Sequence, residues 1–168
     1  MTTLFAQPYD ISSRGFHFHT ASEYSAKAAK LKNDYGQPVE EFEIQFIDGE
    51  SLDANLFEAL GVNQANYEPF LEAVIDWSDD DKIKAIIAVG EAGYKFTLGD
   101  DTPDRLEVDL YQADSLTDLA AQFVEEGLYG EIPEALRNYI DFEAIARDLS
   151  VEYYDVRLNG TGYVYRCG

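Results

Sequence analysis

Positive charge is what this chain most lacks. Twelve Lys and Arg stand against 33 Asp and Glu in 168 residues, a formal net charge of −21. DNA, RNA and anionic membranes are each bound through a basic face, so none is expected as a direct partner. There is one cysteine, Cys167. A lone thiol makes no intrachain disulfide, and nothing calls for an oxidising compartment. No segment approaches the roughly 20 apolar residues of a membrane span. The opening MTTLFAQPYD has no basic stretch followed by an apolar run, so no secretory signal is read. A soluble, cytoplasmic protein is expected.

Catalytic and metal-binding signatures are equally scarce. No Ser-His-Asp ordering, G-x-S-x-G, Walker loop or dinucleotide fingerprint occurs. The EF-hand pattern has no match, and the contiguous Asp79-Asp80-Asp81 fans its side chains apart rather than converging on one ion. The two histidines, His17 and His19, share one face of a strand about 6.6–6.8 Å apart at Cα. With a carboxylate they would make a metal site; without one they are the polar face opposite Phe16 and Phe18. So many carboxylates guarantee chance pairs, which carry no catalytic signal without a cleft. Neither an enzyme nor a cofactor is expected.

What the chain does have is a core and an uneven charge. Hydrophobic residues are 46% and aromatics 14%, enough to fold despite the repulsion. Residues 1–37 hold three acids and four bases, residues 38–126 hold 23 acids and four bases, and residues 127–168 hold seven acids and four bases. A chain acidic only for solubility would be acidic throughout; here the excess lies in the middle half.

The periodicities predict an α+β fold of small sub-domains in series. Residues 1–50 read as a three-stranded sheet with one helix. Strands at 3–9 and 16–19 precede a helix that begins at the capping box Thr20…Glu23 and carries Tyr24, Ala28 and Leu31 on one stripe. A third strand alternates Phe42, Ile44 and Phe46 with Glu41, Glu43 and Gln45, ending at Asp48-Gly49. Residues 51–104 read as mainly helical: one helix over 51–60, and a second over 63–77 that buries Phe70, Leu71, Val74 and Ile75 and kinks or restarts at Pro69. A third is capped by Ser78 and closed by Gly90, with strands following around 94–98 and 106–110. Residues 105–168 read as α+β: a helix from Ser115 to about 126, two short helices over 130–149, and a terminal hairpin about Asn159-Gly160.

Carboxylates recur at regular spacings. Glu107 and Asp109 sit two apart, as do Glu41 and Glu43, roughly 6.7 Å at Cα in a strand. Glu68 and Glu72 sit four apart on a helix. Such spacings approach those of successive phosphates along one nucleic-acid strand. Two copies, each at −21, would carry the charge of roughly 70 Å of duplex, about 20 base pairs, at about one charge per 1.7 Å. The charge-bearing candidates are Glu40, Glu41, Glu43, Glu68, Glu72, Asp76, Asp79, Asp80, Asp81, Asp100, Asp101, Asp104, Glu107 and Asp109. Their partner is expected to be a basic, DNA-binding protein surface.

The segment GEIPEALRNYIDFEAIARDL, residues 130–149, departs from this pattern, since Arg137 and Arg147 temper its acids and its apolar residues fall on stripes. It is either a core helical pair or a face that packs against a second copy. It resembles the signature of the ArdA antirestriction family at Ile132, Pro133, Leu136, Tyr139, Ile140, Asp141, Phe142, Ala144, Arg147, Asp148 and Leu149. The preceding DSLTDLAAQFVEEG resembles that family's D-S-x-x-D-x-A helix at Asp114, Ser115, Asp118 and Ala120, and weaker likeness lies in Arg14-Gly15-Phe16 and EEFEIQFIDGE. The resemblance implies an elongated acidic homodimer of three sub-domains that mimics DNA. Such a protein occupies the DNA-binding groove of a type I restriction–modification enzyme and protects incoming mobile DNA. It also implies that the 130–149 region lies at or near the dimer seam. An acidic module for another basic DNA-binding protein is the alternative.

Overall fold

The computed structural model describes residues 1–168. It is mixed α+β, with two three-stranded antiparallel sheets and six α-helices. Contacts divide the chain into two compact units, residues 1–106 and 107–168.

In the first unit, β1 (Thr3–Pro8) is the central strand, flanked by β2 (Phe16–Phe18) and β3 (Phe42–Asp48). Period-two patterning sends Leu4, Ala6, Phe18, Phe42 and Ile44 to one face, where all are buried. Helix α1 (Ala21–Lys30) starts on the Thr20 side chain, which accepts from the Glu23 N–H at 3.1 Å. Glu23 reaches back one residue further than a capping box requires, to the N–H of His19 at 2.9 Å. This pins the turn between β2 and α1. Tyr24 thereby reaches the core, 5.1 Å from the Phe18 ring and 4.5 Å from Tyr67. Burial pushes the hydroxyl pKa of Tyr24 and of Tyr67 upward.

Helices α2 (Ser51–Ala59) and α3 (Tyr67–Asp76) pack beside the sheet, and α4 (Asp79–Ala85) packs against α2. The ring pairs Phe18–Tyr67 and Phe46–Phe57 join residues on either side of position 50. Helix α3 begins four residues later than its sequence pattern predicts, because Asn63 and Asn66 hold a turn in which their side chains accept backbone N–H groups. Pro69 therefore lies in the first helical turn, where a missing N–H is harmless, so of the two expected outcomes the helix starts about Pro69 and does not kink there. Ile75 is also not buried: it is 82% exposed, and Ala73 takes the inward place.

Ser78 and Asp81 form a reciprocal capping box at the start of α4. The helix runs on into a π-helical turn, Ile86–Glu91, and does not end at Gly90. Gly90 instead allows close approach to α2, since a Cβ there would lie 3.3 Å from the Ala59 Cβ. Gly93, at φ +75°, ends the turn. Residues 94–98 form no strand, because no neighbouring strand pairs with them. Phe96 stands edge-on to Trp77 at 5.8 Å, and Leu98 makes only an isolated bridge to Asp101.

In the second unit, β6 (Thr161–Cys167) is central between β4 (Val108–Gln112) and β5 (Tyr153–Leu158). Asn159 (φ +50°) and Gly160 (φ +82°) form the two-residue turn predicted for this hairpin. Helix α5 (Leu116–Glu125) packs Leu119 and Phe123 onto Val164 and Tyr153, capped by the Ser115 side chain. Helix α6 (Phe142–Leu149) follows, with Leu149 against the same cluster. The segment before it, Glu134–Tyr139, is a 3₁₀-helix with no buried residue, so the expected pair of α-helices is one 3₁₀ turn and one α-helix.

Candidate functional site

Glu40, Glu41 and Glu43 enter and line β3, and all three are exposed. Their backbone is fixed by a side chain that sequence patterning did not single out. The Gln64 amide accepts from the N–H of buried Phe42 at 2.9 Å and donates to the Glu40 carbonyl at 2.7 Å. One glutamine thus clips the acidic entry strand to the loop before α3. The Glu43 carboxylate accepts from Gln45 at 3.0 Å.

Glu68, Glu72 and Asp76 fall at i, i+4 and i+8 on α3 and are exposed. A helix rises about 1.5 Å per residue, so they form a stripe with roughly 6 Å between neighbours along the axis. Asp79 and Asp80 continue the acidic run in the first turn of α4, where the helix dipole favours negative charge. Asp81 is partly withdrawn, its carboxylate holding the Ser78 hydroxyl at 2.7 Å.

The carboxylates after α4 are more engaged. Asp101 accepts from the Thr97 N–H at 2.8 Å and pairs with Arg105 at 2.6 Å. Asp100 and Asp104 are exposed, and a hydrogen bond from Thr102 holds the Asp104 carboxyl below its usual pKa. Glu107 lies one residue before β4. Asp109, on β4, is bound by Arg166 through Nη2 at 2.6 Å and Nε at 3.1 Å, which raises the Arg166 pKa and offsets the charge of Asp109. The ion pairs of the first unit are Lys82–Asp53 and Arg105–Asp101. The carboxylates of Glu41, Glu68, Glu72, Asp76, Asp79, Asp80 and Asp100 therefore have no cation at ion-pair distance.

In the second unit, Asp141 caps α6 by accepting from the Ala144 N–H at 3.0 Å. Ile132, Ile140, Phe142, Ala144 and Leu149 are half-buried, while Arg147, Asp148 and Pro133 are exposed. Leu136 and Tyr139 stand 54% and 83% exposed on the 3₁₀ turn, and Leu128, Tyr129 and Val151 are exposed nearby in sequence. Their patterning reads equally as core, and only the fold separates the two.

His17 and His19 do not form a ligand pair. The His17 ring packs on Phe5 at 4.8 Å, and His19 Nδ1 lies 3.2 Å from the Thr2 carbonyl. No group of three or more His, Cys, Asp or Glu is arranged to hold a metal. No helix is long and apolar enough to cross a membrane.

Comparison with known proteins gives the family context. No curated protein matches the chain. The family model described as "Antirestriction protein (ArdA)" matches residues 13–165 of the 168, nearly the full length, and so the chain belongs to the ArdA antirestriction family.

Proposed function

We propose that this protein is a non-enzymatic DNA mimic that occupies the DNA-binding groove of a type I restriction–modification enzyme and spares incoming mobile DNA from cleavage. The observation that carries the reading is the set of exposed carboxylates without cation partners, led by the stripe Glu68, Glu72 and Asp76 and continued at Asp79 and Asp80. Held on helices at regular intervals, they present fixed charge to a groove that evolved for phosphates. The enzyme recovers with the mimic the Coulomb and counterion terms that it gains with DNA.

Further carboxylates of the proposed surface are Glu40, Glu41, Glu43, Asp81, Asp100, Asp101 and Asp104 in the first unit, and Glu107 and Asp109 in the second. The protein acts in the cytoplasm as a homodimer, and the exposed Leu136 and Tyr139 belong to the seam between copies. An apolar seam suits association because two chains of net charge −21 repel one another overall.

The test is displacement of DNA from a purified type I methylase core, followed against salt. Inhibition should weaken steeply as ionic strength rises, because exposed charges are screened over about 8–10 Å at physiological salt. Inhibition that is indifferent to salt would sink the reading. Equal displacement of DNA from an unselected panel of DNA-binding proteins would favour a general acidic module instead.

A further inference from the structure

Two loops of the first unit meet, one between β1 and β2 and one between α1 and β3. Each holds a turn of the same kind. In the first, the Ser13 N–H donates to the Asp10 carbonyl at 3.1 Å, and the Asp10 carboxylate accepts the Ser12 N–H at 2.9 Å. In the second, the Gly36 N–H donates to the Asn33 carbonyl at 2.9 Å, and the Asn33 side-chain oxygen accepts the Tyr35 N–H at 3.0 Å. The two leading residues are themselves joined, since the Asn33 amide donates to Asp10 Oδ2 at 3.0 Å. The Ser12 hydroxyl oxygen accepts the Asp34 N–H at 3.2 Å and adds a second tie. Gly15 then fits so closely against β1 that a Cβ there would collide with the Ala6 carbonyl and the Phe5 ring. The paired turns are braced against each other and against the sheet.

Turn crowns ordinarily carry Gly, Asn, Asp or Ser. These carry Ile11, which is fully exposed, and Tyr35, which is 85% exposed, while Tyr9 stands exposed one residue before the first turn. Large apolar side chains gathered on a surface mark an interaction site. Braced turns also lower the ordering cost of binding. The nearby charge is unlike that of the rest of the chain. Arg14, Lys30 and Lys32 flank the turns and are exposed, and the ion pairs of the first unit lie elsewhere, at Lys82–Asp53 and Arg105–Asp101. Of the two acids on the turns, Asp10 already accepts three hydrogen bonds and Asp34 is exposed. The face that complements such a tip is apolar and edged with carboxylates.

We propose that the paired turns are a docking tip for a protein surface of that kind, on the restriction enzyme beside its DNA-binding groove. The identity of the partner rests on the antirestriction reading; the geometry of the tip does not. Tyr9 places the tip next to the acidic strand, because its N–H donates to the Glu41 carbonyl at 3.1 Å. A partner that engages Glu40 and Glu41 therefore comes close to the turns. The same glutamates repel phosphates, which favours a protein over a nucleic acid as the occupant. The tip makes a contact that DNA cannot make, and its apolar part is not screened by salt.

Inhibition of a purified type I enzyme by the full chain, measured at low and high ionic strength, tests the tip. Ile11→Ser/Tyr35→Ser changes no charge, and both side chains are exposed, so the fold is retained. This variant should raise the concentration for half-inhibition by about tenfold at both ionic strengths. Lys30→Glu/Lys32→Glu should also weaken inhibition, most at low salt. Equal inhibition by the parent and the serine variant overturns the tip, and stronger inhibition by the glutamate variant overturns the carboxylate edge. Two further measurements name the competing occupants. A single-stranded oligonucleotide that binds the parent and not the serine variant means a nucleic-acid surface. A change of oligomeric state on sedimentation of that variant means that a second copy covers the tip. Either result overturns the proposal. A parent that does not inhibit at all defeats the antirestriction reading and this partner with it, an outcome distinct from an active parent matched by its variant.

Discussion

Lys82 and Asp53 form an ion pair 2.7 Å long with both side chains about nineteen-twentieths buried. The pair ties α4 to α2, and the Lys82 bond to the Val74 carbonyl adds the end of α3. Removing one member strands the other charge out of water, so Lys82→Met should destabilise the first unit by about 3–5 kcal/mol. Replacing both members with apolar residues should cost much less. Chemical denaturation of the single and double variants checks this, and a single variant as stable as the parent would refute it.

The α3 stripe should act as a set. One exposed carboxylate neutralised, such as Glu72→Gln, should weaken enzyme binding by about 0.2–1 kcal/mol, the range of an exposed charge interaction. Glu68→Gln/Glu72→Gln/Asp76→Asn together should weaken it far more and also flatten its dependence on salt. Asp109→Asn should change binding less, because Arg166 already offsets that charge. Displacement assays at two ionic strengths separate these outcomes.

Gln64→Ala removes both bonds of the clip on residues 40–42 and leaves the N–H of buried Phe42 without its acceptor. A cost of about 1–3 kcal/mol follows from the unsatisfied donor. Amide hydrogen exchange should quicken at Phe42 while the Asn159-Gly160 hairpin is unchanged. Unaltered protection at Phe42 would show that the clip is dispensable.

Tyr139→Ser and Leu136→Ser truncate side chains that stand largely in solvent. Each should alter the stability of the isolated chain by no more than about 0.5 kcal/mol. If these residues form the proposed seam, the pair of substitutions should shift sedimentation from dimer to monomer. A dimer that survives both places the seam elsewhere.

Asp10 supplies a pH signature. The Ser12 hydroxyl at 2.7 Å, the Asn33 amide at 3.0 Å and the Ser12 N–H at 2.9 Å hold its carboxyl below the usual pKa. A depressed folded-state pKa contributes stability that is fully present above the unfolded value, about 3.9, and is lost as pH falls through the lower folded value. Asp10→Asn should therefore be less stable than the parent at pH 7, with the difference shrinking as the pH is brought down through and below that range. Urea midpoints at several pH values check it, and a gap that stays constant with pH would contradict it.

Much of the fold was legible because its signals are local. The caps at Thr20, Ser78, Ser115 and Asp141 each depend on a side chain reaching a backbone N–H three residues away, and all four form. The Asn159-Gly160 turn is set by two residues that tolerate positive φ. The errors lie where a distant partner decides. The alternation of Tyr94, Phe96 and Leu98 is a good strand pattern with no strand to pair with. Ile75 fits an apolar stripe, but the neighbouring helices leave its side of α3 uncovered.

The same division holds for the candidate surface. Charge is carried by residue identity, so the acidic middle, the two nearly neutral ends and the family signature at residues 130–149 all follow from the sequence alone. Whether a carboxylate is free is a property of what comes near it in space. Only the tertiary structure buries Asp53 against Lys82, pairs Asp109 with an arginine 57 positions away, and leaves Glu68, Glu72 and Asp76 in solvent without a counterion. An ion pair needs its members within about 4 Å, and the folding of the chain alone brings residues so far apart in sequence that close.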